Sequence, residues 1–435
     1  MTIPALALPG SSSLSPTQAP PTDRAQNIAA GFLLSEPFDP WITNGHWQSI
    51  LGFFLRESCS YVPGSSVFDA LSYTLDQVRE RMIRVRQQQR GETKKYQVAN
   101  QNESPPFWDV RERIETPDGD WFHADTKFGN DVDDSTVSST IRPIVILLHG
   151  LQSSSDSALS QEMARAFVTR GMTCTCLNFR GCSGQPNDTL GGYHLGFTND
   201  LQHYLQLLRN RGNTAPVYLS GFSLGANVVL KCLGELSDRA FSTYNIHGAA
   251  VLSSPLDQEK NSRVFGQPFS IQRFVYTNHL LASLRKRAEY QLKRFANGDP
   301  NTNLFDYDGI VNAETISDFD TAFIAKIYGF DNCWDYYAQT SSGKFLKDIT
   351  VPTLVLNALD DPFFDPNVWP VEHSYEYGGT APVKMIRTAH GGHLGFSFQK
   401  VDPNDQRLKE KPQIGWASIQ VARFLDYVQR CTNQL

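Results

Sequence analysis

The sequence contains no uninterrupted run of about 18 apolar residues, the length that a membrane-crossing helix needs, so no transmembrane segment is predicted. An excess of basic charge is also missing. The 435 residues carry 39 Lys and Arg against 45 Asp and Glu, a net charge of −6. Nucleic-acid binding wants a clustered basic face, so no nucleic-acid partner is expected. Cysteine is scarce and odd in number, at seven. No cysteine spacing matches a zinc site, and Cys174 and Cys176 stand alone as a close pair. Period 2 puts that pair on one face of the apolar run "MTCTCLNF", as buried reduced thiols. A reducing, cytoplasmic compartment is expected in preference to the secretory route. Gly and Pro, at 31 and 24, are ordinary in number, which excludes a collagen-like or low-complexity chain.

Residues 1–33 are rich in Ser, Pro, Ala and Thr and show no periodic apolar face, so they are expected to be disordered. The stretch "IPALALPG" is too short and too Pro-broken for a secretory signal core. The segment is Ser-rich and nearly free of acid, which leaves organelle targeting open, although Arg24 is its one basic residue. Residues 34–435 read as a single domain. In "FDPWITNGHWQSI", Phe38, Trp41 and Trp47 are spaced by polar and Gly punctuation, and residues 69–90 are charged and helical in flavour. "DVRERIETPDGDWFHADTKF" carries two alternating runs about the turn "PDGD", a hairpin signal.

After the hairpin the pattern becomes strand–helix alternation. "PIVILLHG" (143–150), "MTCTCLNFRG" (172–181), "PVYLSGFS" (216–223) and "GAAVLSSP" (248–255) are short apolar runs, which suits strands buried on both faces. Amphipathic helices separate them, and repeated units of this kind argue for an open, mostly parallel α/β sheet. Residues 256–345 interrupt the alternation with helical, aromatic-rich sequence. Two more strands follow, in "VPTLVLNALDD" (351–361) and "PVKMIRTAHGGH" (382–393), then a closing helix at 416–430. The interruption therefore reads as a helical cap insertion between the sixth and seventh strands. Its aromatic residues, from Phe265 to Tyr337, are expected to line an apolar pocket; the alternative is that they pack the insertion's own core.

Gly221-Phe222-Ser223-Leu224-Gly225 matches G-x-S-x-G and lies between a strand and a helix, where a nucleophile elbow belongs. A hydroxyl is a poor nucleophile without a base, and the base must be oriented by a third group. In this arrangement the chain order is Ser, then acid, then His. Two strand ends supply the candidates, Asp360 and Asp361 in "LNALDDPFF" and His390 and His393 in "MIRTAHGGHLGF". Asp361 and His393 are preferred, the latter because two glycines give its loop room to reach the serine. Oxyanion donors are expected from the backbone N–H of Leu224 and of Leu151, which follows the strand ending in His149-Gly150. His149 is read as structural, and Arg180 as holding a loop by an ion pair. His194 and Asp200 are separated by five residues rather than the four of an acyltransferase H-x4-D motif. No cofactor is expected. His390-x-x-His393 lacks the helical frame of a metal motif, so no metal is expected either.

These motifs together are specific. "WITNGHWQSI", "TPDGDWFHAD", "LLHGLQSSSDS", "NFRGCSG", "YHLGFTNDL", "GFSLGANVVLKCLGE", "DFDTAFIAKIYGFDNCWDYY", "LNALDDPFF" and "GGHLGF" resemble the YheT-like branch of the α/β-hydrolase superfamily over residues 38–430. That branch includes plant embryogenesis-associated hydrolases and yeast medium-chain fatty-acid ethyl-ester synthase/esterases. The resemblance implies an α/β-hydrolase fold, with Ser223 as nucleophile, Asp361 as acid and His393 as base. Asp361 also lies nine residues after the strand-opening Pro352, the spacing of many α/β-hydrolases. Two departures are expected. Animal members begin with a membrane anchor that this sequence does not show, and residues 1–33 and 85–105 are extra.

The leading expectation is a serine hydrolase cleaving carboxylic esters, with a medium-chain acyl or lipid ester as substrate. Transfer of the acyl group to an alcohol would use the same intermediate and is discriminated by whether an alcohol competes with water. A non-catalytic binding module on this scaffold would carry a broken triad. Fold alone does not choose among substrates.

Overall fold

The computed structural model describes residues 22–57, 107–129, 142–397 and 414–433. The stretch expected to be helical at 69–90 and the segment 85–105 lie outside the described residues, as do residues 1–21.

Eight strands form one sheet: β1 (Val110–Glu115), β2 (Trp121–Lys127), β3 (Ile144–Leu148), β4 (Thr173–Leu177), β5 (Val217–Phe222), β6 (Ile246–Leu252), β7 (Thr353–Ala358) and β8 (Val383–Thr388). Their spatial order is β1-β2-β4-β3-β5-β6-β7-β8. β1 and β2 are the hairpin anticipated about "PDGD" and pair antiparallel, as β2 does with β4. The pairs from β4 to β8 are parallel. The fold class expected from the alternation is the one observed.

The continuous apolar runs arise because helices cover both faces. In β3, Ile146 and Leu148 join one core with Leu219 of β5 and the helix Leu224–Leu236. Val145 and Leu147 point the other way, into a core with the helices Ala158–Val168 and Trp416–Asn433. Cys174 and Cys176 share that second face, fully buried and unpaired, as the period of 2 required.

The expectation of disorder over residues 1–33 does not hold for its described part. Thr22–Gly31 is a helix. Ala25, Ile28, Ala29 and Phe32 are spaced along one helical face and buried, and the Phe32 ring meets Phe424 edge-on at 5.1 Å. The Pro- and Ser-rich neighbours concealed this stripe.

Between β6 and β7 the chain is helical, from Gln258–Phe265 to Ser342–Asp348, where a helical insertion was expected over 256–345. This insertion has a core of its own, with Leu281, Leu284, Leu292, Phe305, Phe319 and Phe323 buried together. Two of its turns, Gln272–Thr277 and Asp320–Ala325, are π-helical.

Candidate active site

Sheet register brings the key loops together. Leu148 of β3 is paired with Gly221 of β5, so the turn after β3 and the turn after β5 leave the sheet side by side. The strand order reverses direction at this point, with β4 on one side of β3 and β5 on the other. The carboxyl ends of strands at such a switch form the crevice where open α/β sheets bind ligands. Ala358 of β7 is paired with Thr388 of β8, so the loops bearing Asp361 and His393 also start at one level.

Ser223 stands between β5 and the helix Leu224–Leu236 with φ 54° and ψ −123°. This is a left-handed conformation that costs a non-glycine residue of order 1–3 kcal/mol, and it lifts the hydroxyl out of the sheet. The two motif glycines make the turn sterically feasible. A Cβ on Gly221 would lie 2.6 Å from the Gly225 carbonyl oxygen. A Cβ on Gly225 would meet the Leu148 oxygen at 2.3 Å.

Ser223 Oγ is 3.0 Å from His393 Nε2. On the other side of the ring, His393 Nδ1 is 2.9 Å from Asp361 Oδ2. The carboxylate only accepts here, so Nδ1 carries the proton and Nε2 is left to accept from the serine hydroxyl. Asp361 is buried, and its other oxygen accepts the Phe363 N–H at 2.8 Å. The Phe363 ring stacks on His393 at 4.0 Å and Phe364 meets it edge-on at 5.2 Å, which fixes the imidazole plane.

The alternative pair is adjacent but is turned to another use. Asp360 Oδ1 accepts the Gly392 N–H at 2.9 Å, bracing the loop that carries His393. Burial raises the Asp360 pKa, and its Oδ2 lies 3.5 Å from His390 Nδ1. The glycines before His393 give more than loop room. Gly392 has φ 57°, and a Cβ there would sit 2.3 Å from the Gly45 carbonyl oxygen. The loop is thus pressed against the helix Gly45–Glu57. From that helix Ser49 Oγ accepts the His393 N–H at 2.7 Å while donating to the Gly45 oxygen at 2.7 Å. Sequence reasoning assigned no role to Ser49, Phe363 or Phe364, although each lies in a quoted motif.

Leu151 and Leu224 border the same cavity as Ser223. Leu224 is the first residue of its helix, so its N–H has no intrahelical acceptor and lies at the positive end of the helix dipole. His149 is structural, as expected. Its Nε2 accepts the Phe179 N–H at 3.1 Å and its Nδ1 donates to the Gly150 oxygen at 2.8 Å. Burial lowers its pKa to about 4, so it is neutral near pH 7. Arg180 does hold a loop by ion pairs, with Asp200 at 2.6 Å and Asp118 at 2.7 Å, tying the hairpin turn to the helix Asn199–Asn210. Asp200 is therefore engaged by Arg180, while His194 lies among the Phe197, Tyr328 and Tyr336 rings.

The cavity over Ser223 has a volume of about 800 Å³. Ile50, Leu159, Leu284, Phe319, Phe323 and Ile324 give it apolar walls. Of the insertion's anticipated aromatics, Phe265, Tyr276, Phe323, Tyr336 and Tyr337 line it. Phe269, Tyr290 and Trp334 are exposed instead, and the Phe274 side chain lies outside the described residues. Among the described residues no group of three or more His, Cys, Asp or Glu could hold a metal ion. No helix among them is long and apolar enough to cross a membrane.

The model of the family described as "alpha/beta hydrolase fold" matches residues 143–399. The chain belongs to the alpha/beta hydrolase family. It is 32% identical over 291 residues to YheT of Escherichia coli, named for an esterase, a match covering 67% of this chain and 78% of that one. A phospholipase of Homo sapiens is 27% identical over 294 residues, covering 67% and 68% of the two chains. A monoacylglycerol lipase of Saccharomyces cerevisiae is 26% identical over 298 residues, covering 66% and 60%. These relatives agree with the YheT-like branch that the motifs resembled, and the chain is an ester-hydrolysing enzyme of this family.

Proposed function

We propose that Ser223, His393 and Asp361 form the catalytic triad of a serine hydrolase acting on carboxylic esters with medium-chain acyl or lipid character. The observation that carries this reading is the unbroken hydrogen-bonded chain from Ser223 Oγ through His393 to Asp361 beside an apolar cavity. Ser223 Oγ attacks the ester carbonyl carbon while its proton passes to His393 Nε2. The oxyanion that forms is held by the N–H groups of Leu224 and Leu151. Collapse of this intermediate breaks the ester bond, and His393 returns the proton to the departing alcohol. Water then attacks the acyl-enzyme, giving its proton to His393, and the acid leaves as Ser223 is restored. Asp361 holds the imidazole in the required tautomer and stabilises its protonated form.

Residues 256–345 act as a cap whose apolar side chains receive the acyl chain. The enzyme needs no cofactor for this sequence of steps. Hydrolysis of a p-nitrophenyl octanoate by the wild type and by Ser223→Ala tests the assignment. The variant should retain its far-ultraviolet circular dichroism and lose activity by roughly 10³-fold or more. A folded variant with wild-type turnover would place the nucleophile elsewhere.

A further inference from the structure

The cavity above Ser223 is largely apolar, yet the insertion carries a carboxyl into its wall. Asp320 opens the π-helical turn Asp320–Ala325 and borders the same cavity as Ser223 and His393. π-Helical turns are rare and are concentrated at functional sites. The insertion's other π-helical turn, Gln272–Thr277, brings Tyr276 to this cavity as well.

One carboxyl oxygen of Asp320, Oδ2, accepts a hydrogen bond from Tyr337 Oη at 2.6 Å. Among the described residues nothing donates to the other oxygen, and no cation pairs with the group. The ionisable side chains that interact with it are Tyr336, Tyr337 and Cys333 on the helix Cys333–Thr340. Burial pushes the Asp320 pKa up to about 7, against the opposing hydrogen bond from Tyr337. A polar atom facing an apolar cavity is unfavourable until something pairs with it, so the complementary occupant brings a hydrogen-bonding group to this point.

We propose that Asp320, fixed by Tyr337, is a recognition site for an aliphatic hydroxyl group on the ester substrate. A hydroxyl both donates and accepts, so it pairs with this carboxyl whether or not the carboxyl is ionised. An ammonium group pairs only with the ionised form. Arg287 borders the same cavity, and its positive charge further disfavours a cationic occupant. The hydroxyl can belong to the alcohol portion of the ester or to its acyl chain, and the two sources are separable by experiment. The inference rests on Ser223 being the nucleophile of the same cavity.

The test compares kcat/KM of the full chain on two matched pairs of substrates. One pair is the octanoyl monoester of glycerol against propyl octanoate. The other is the p-nitrophenyl ester of a hydroxyoctanoic acid against that of octanoic acid. In at least one pair the hydroxylated member should be favoured roughly 10-fold, and that pair identifies which side of the ester bears the group. The ratio should fall to about one in Asp320→Leu and persist in part in Asp320→Asn, whose amide oxygen still accepts. Tyr337→Phe, which releases the carboxyl, should lower the same ratio. A merely structural role for Asp320 would lower both members alike and leave the ratio intact. Equal kcat/KM within both pairs for the wild type, with Ser223 still labelled by a fluorophosphonate, would overturn this proposal alone. A ratio unchanged in Asp320→Asn and Tyr337→Phe would overturn it equally. Failure of Ser223 to label would overturn the triad reading and this proposal with it.

Discussion

Ser49 Oγ accepts the backbone N–H of His393 at 2.7 Å, so a side chain from the helix Gly45–Glu57 anchors the loop that presents the imidazole to Ser223. Removing that acceptor leaves a largely buried N–H without its partner, at a cost of about 1–3 kcal/mol. Ser49→Ala should therefore lower kcat on a short p-nitrophenyl ester by about 5- to 10-fold while leaving the protein folded. Steady-state kinetics with a melting curve checks this. An unchanged kcat would mean that Gly392 and Asp360 hold the loop without help.

The two candidate pairs separate by mutation. Asp361→Asn and His393→Ala should each reduce kcat by roughly 10³–10⁴, in line with triad substitutions elsewhere. Asp360→Asn keeps an oxygen for the Gly392 N–H and should cost far less, as should His390→Ala. A larger loss at Asp360 or His390 would show that the acid is assigned one position, or the base three positions, too late along its loop.

Chain-length preference follows from the cavity's apolar walls. Each methylene buried there adds up to ~0.8 kcal/mol of transition-state binding. On p-nitrophenyl esters, kcat/KM should rise about two- to four-fold per carbon from acetyl through medium chains and then level off as the cavity fills. A flat profile from acetyl to octanoyl would show that the cap does not receive the acyl chain.

Acid should weaken the fold partly through His149. Its folded-state pKa is lowered by burial to about 4, from an ordinary value of 6.5. Above pH 6.5 the side chain is neutral in both folded and unfolded chains, and its burial carries no proton penalty. Between pH 6.5 and about 4 the unfolded chain takes up the proton first, so stability falls as pH falls. Urea unfolding of wild type and His149→Gln across this window should give a wild-type slope steeper by up to ~1.4 kcal/mol per pH unit. Parallel slopes would show that His149 is protonated in the folded state.

Much of this arrangement was legible before any coordinates. The strands β3 to β8 were readable because two covered faces demand continuous apolar runs. The turn at Ser223 was readable because its motif residues, Gly221 to Gly225, are contiguous in sequence. Strand ends narrowed the acid to Asp360 or Asp361 and the base to His390 or His393; the preference for Asp361 leaned on its spacing from Pro352, and that for His393 on the two glycines before it. The missed contacts are long-range. Ser49 and His393 are 344 positions apart, and no local pattern links them. The helix Thr22–Gly31 was missed because its short apolar stripe follows a Ser-, Pro- and Thr-rich stretch, and that stripe has meaning only against Phe424 and its neighbours. The division of the insertion's aromatics between cavity and surface likewise depends on how its helices pack.

Covalent capture tests the assignment of Ser223 most directly. The full chain is treated with a fluorophosphonate, digested, and the modified residue located by tandem mass spectrometry. One phosphonyl group per chain should be found on Ser223, and Ser223→Ala, still folded, should take up none. Modification of Ser153, Ser154 or Ser155 instead, or undiminished labelling of Ser223→Ala, would contradict the account.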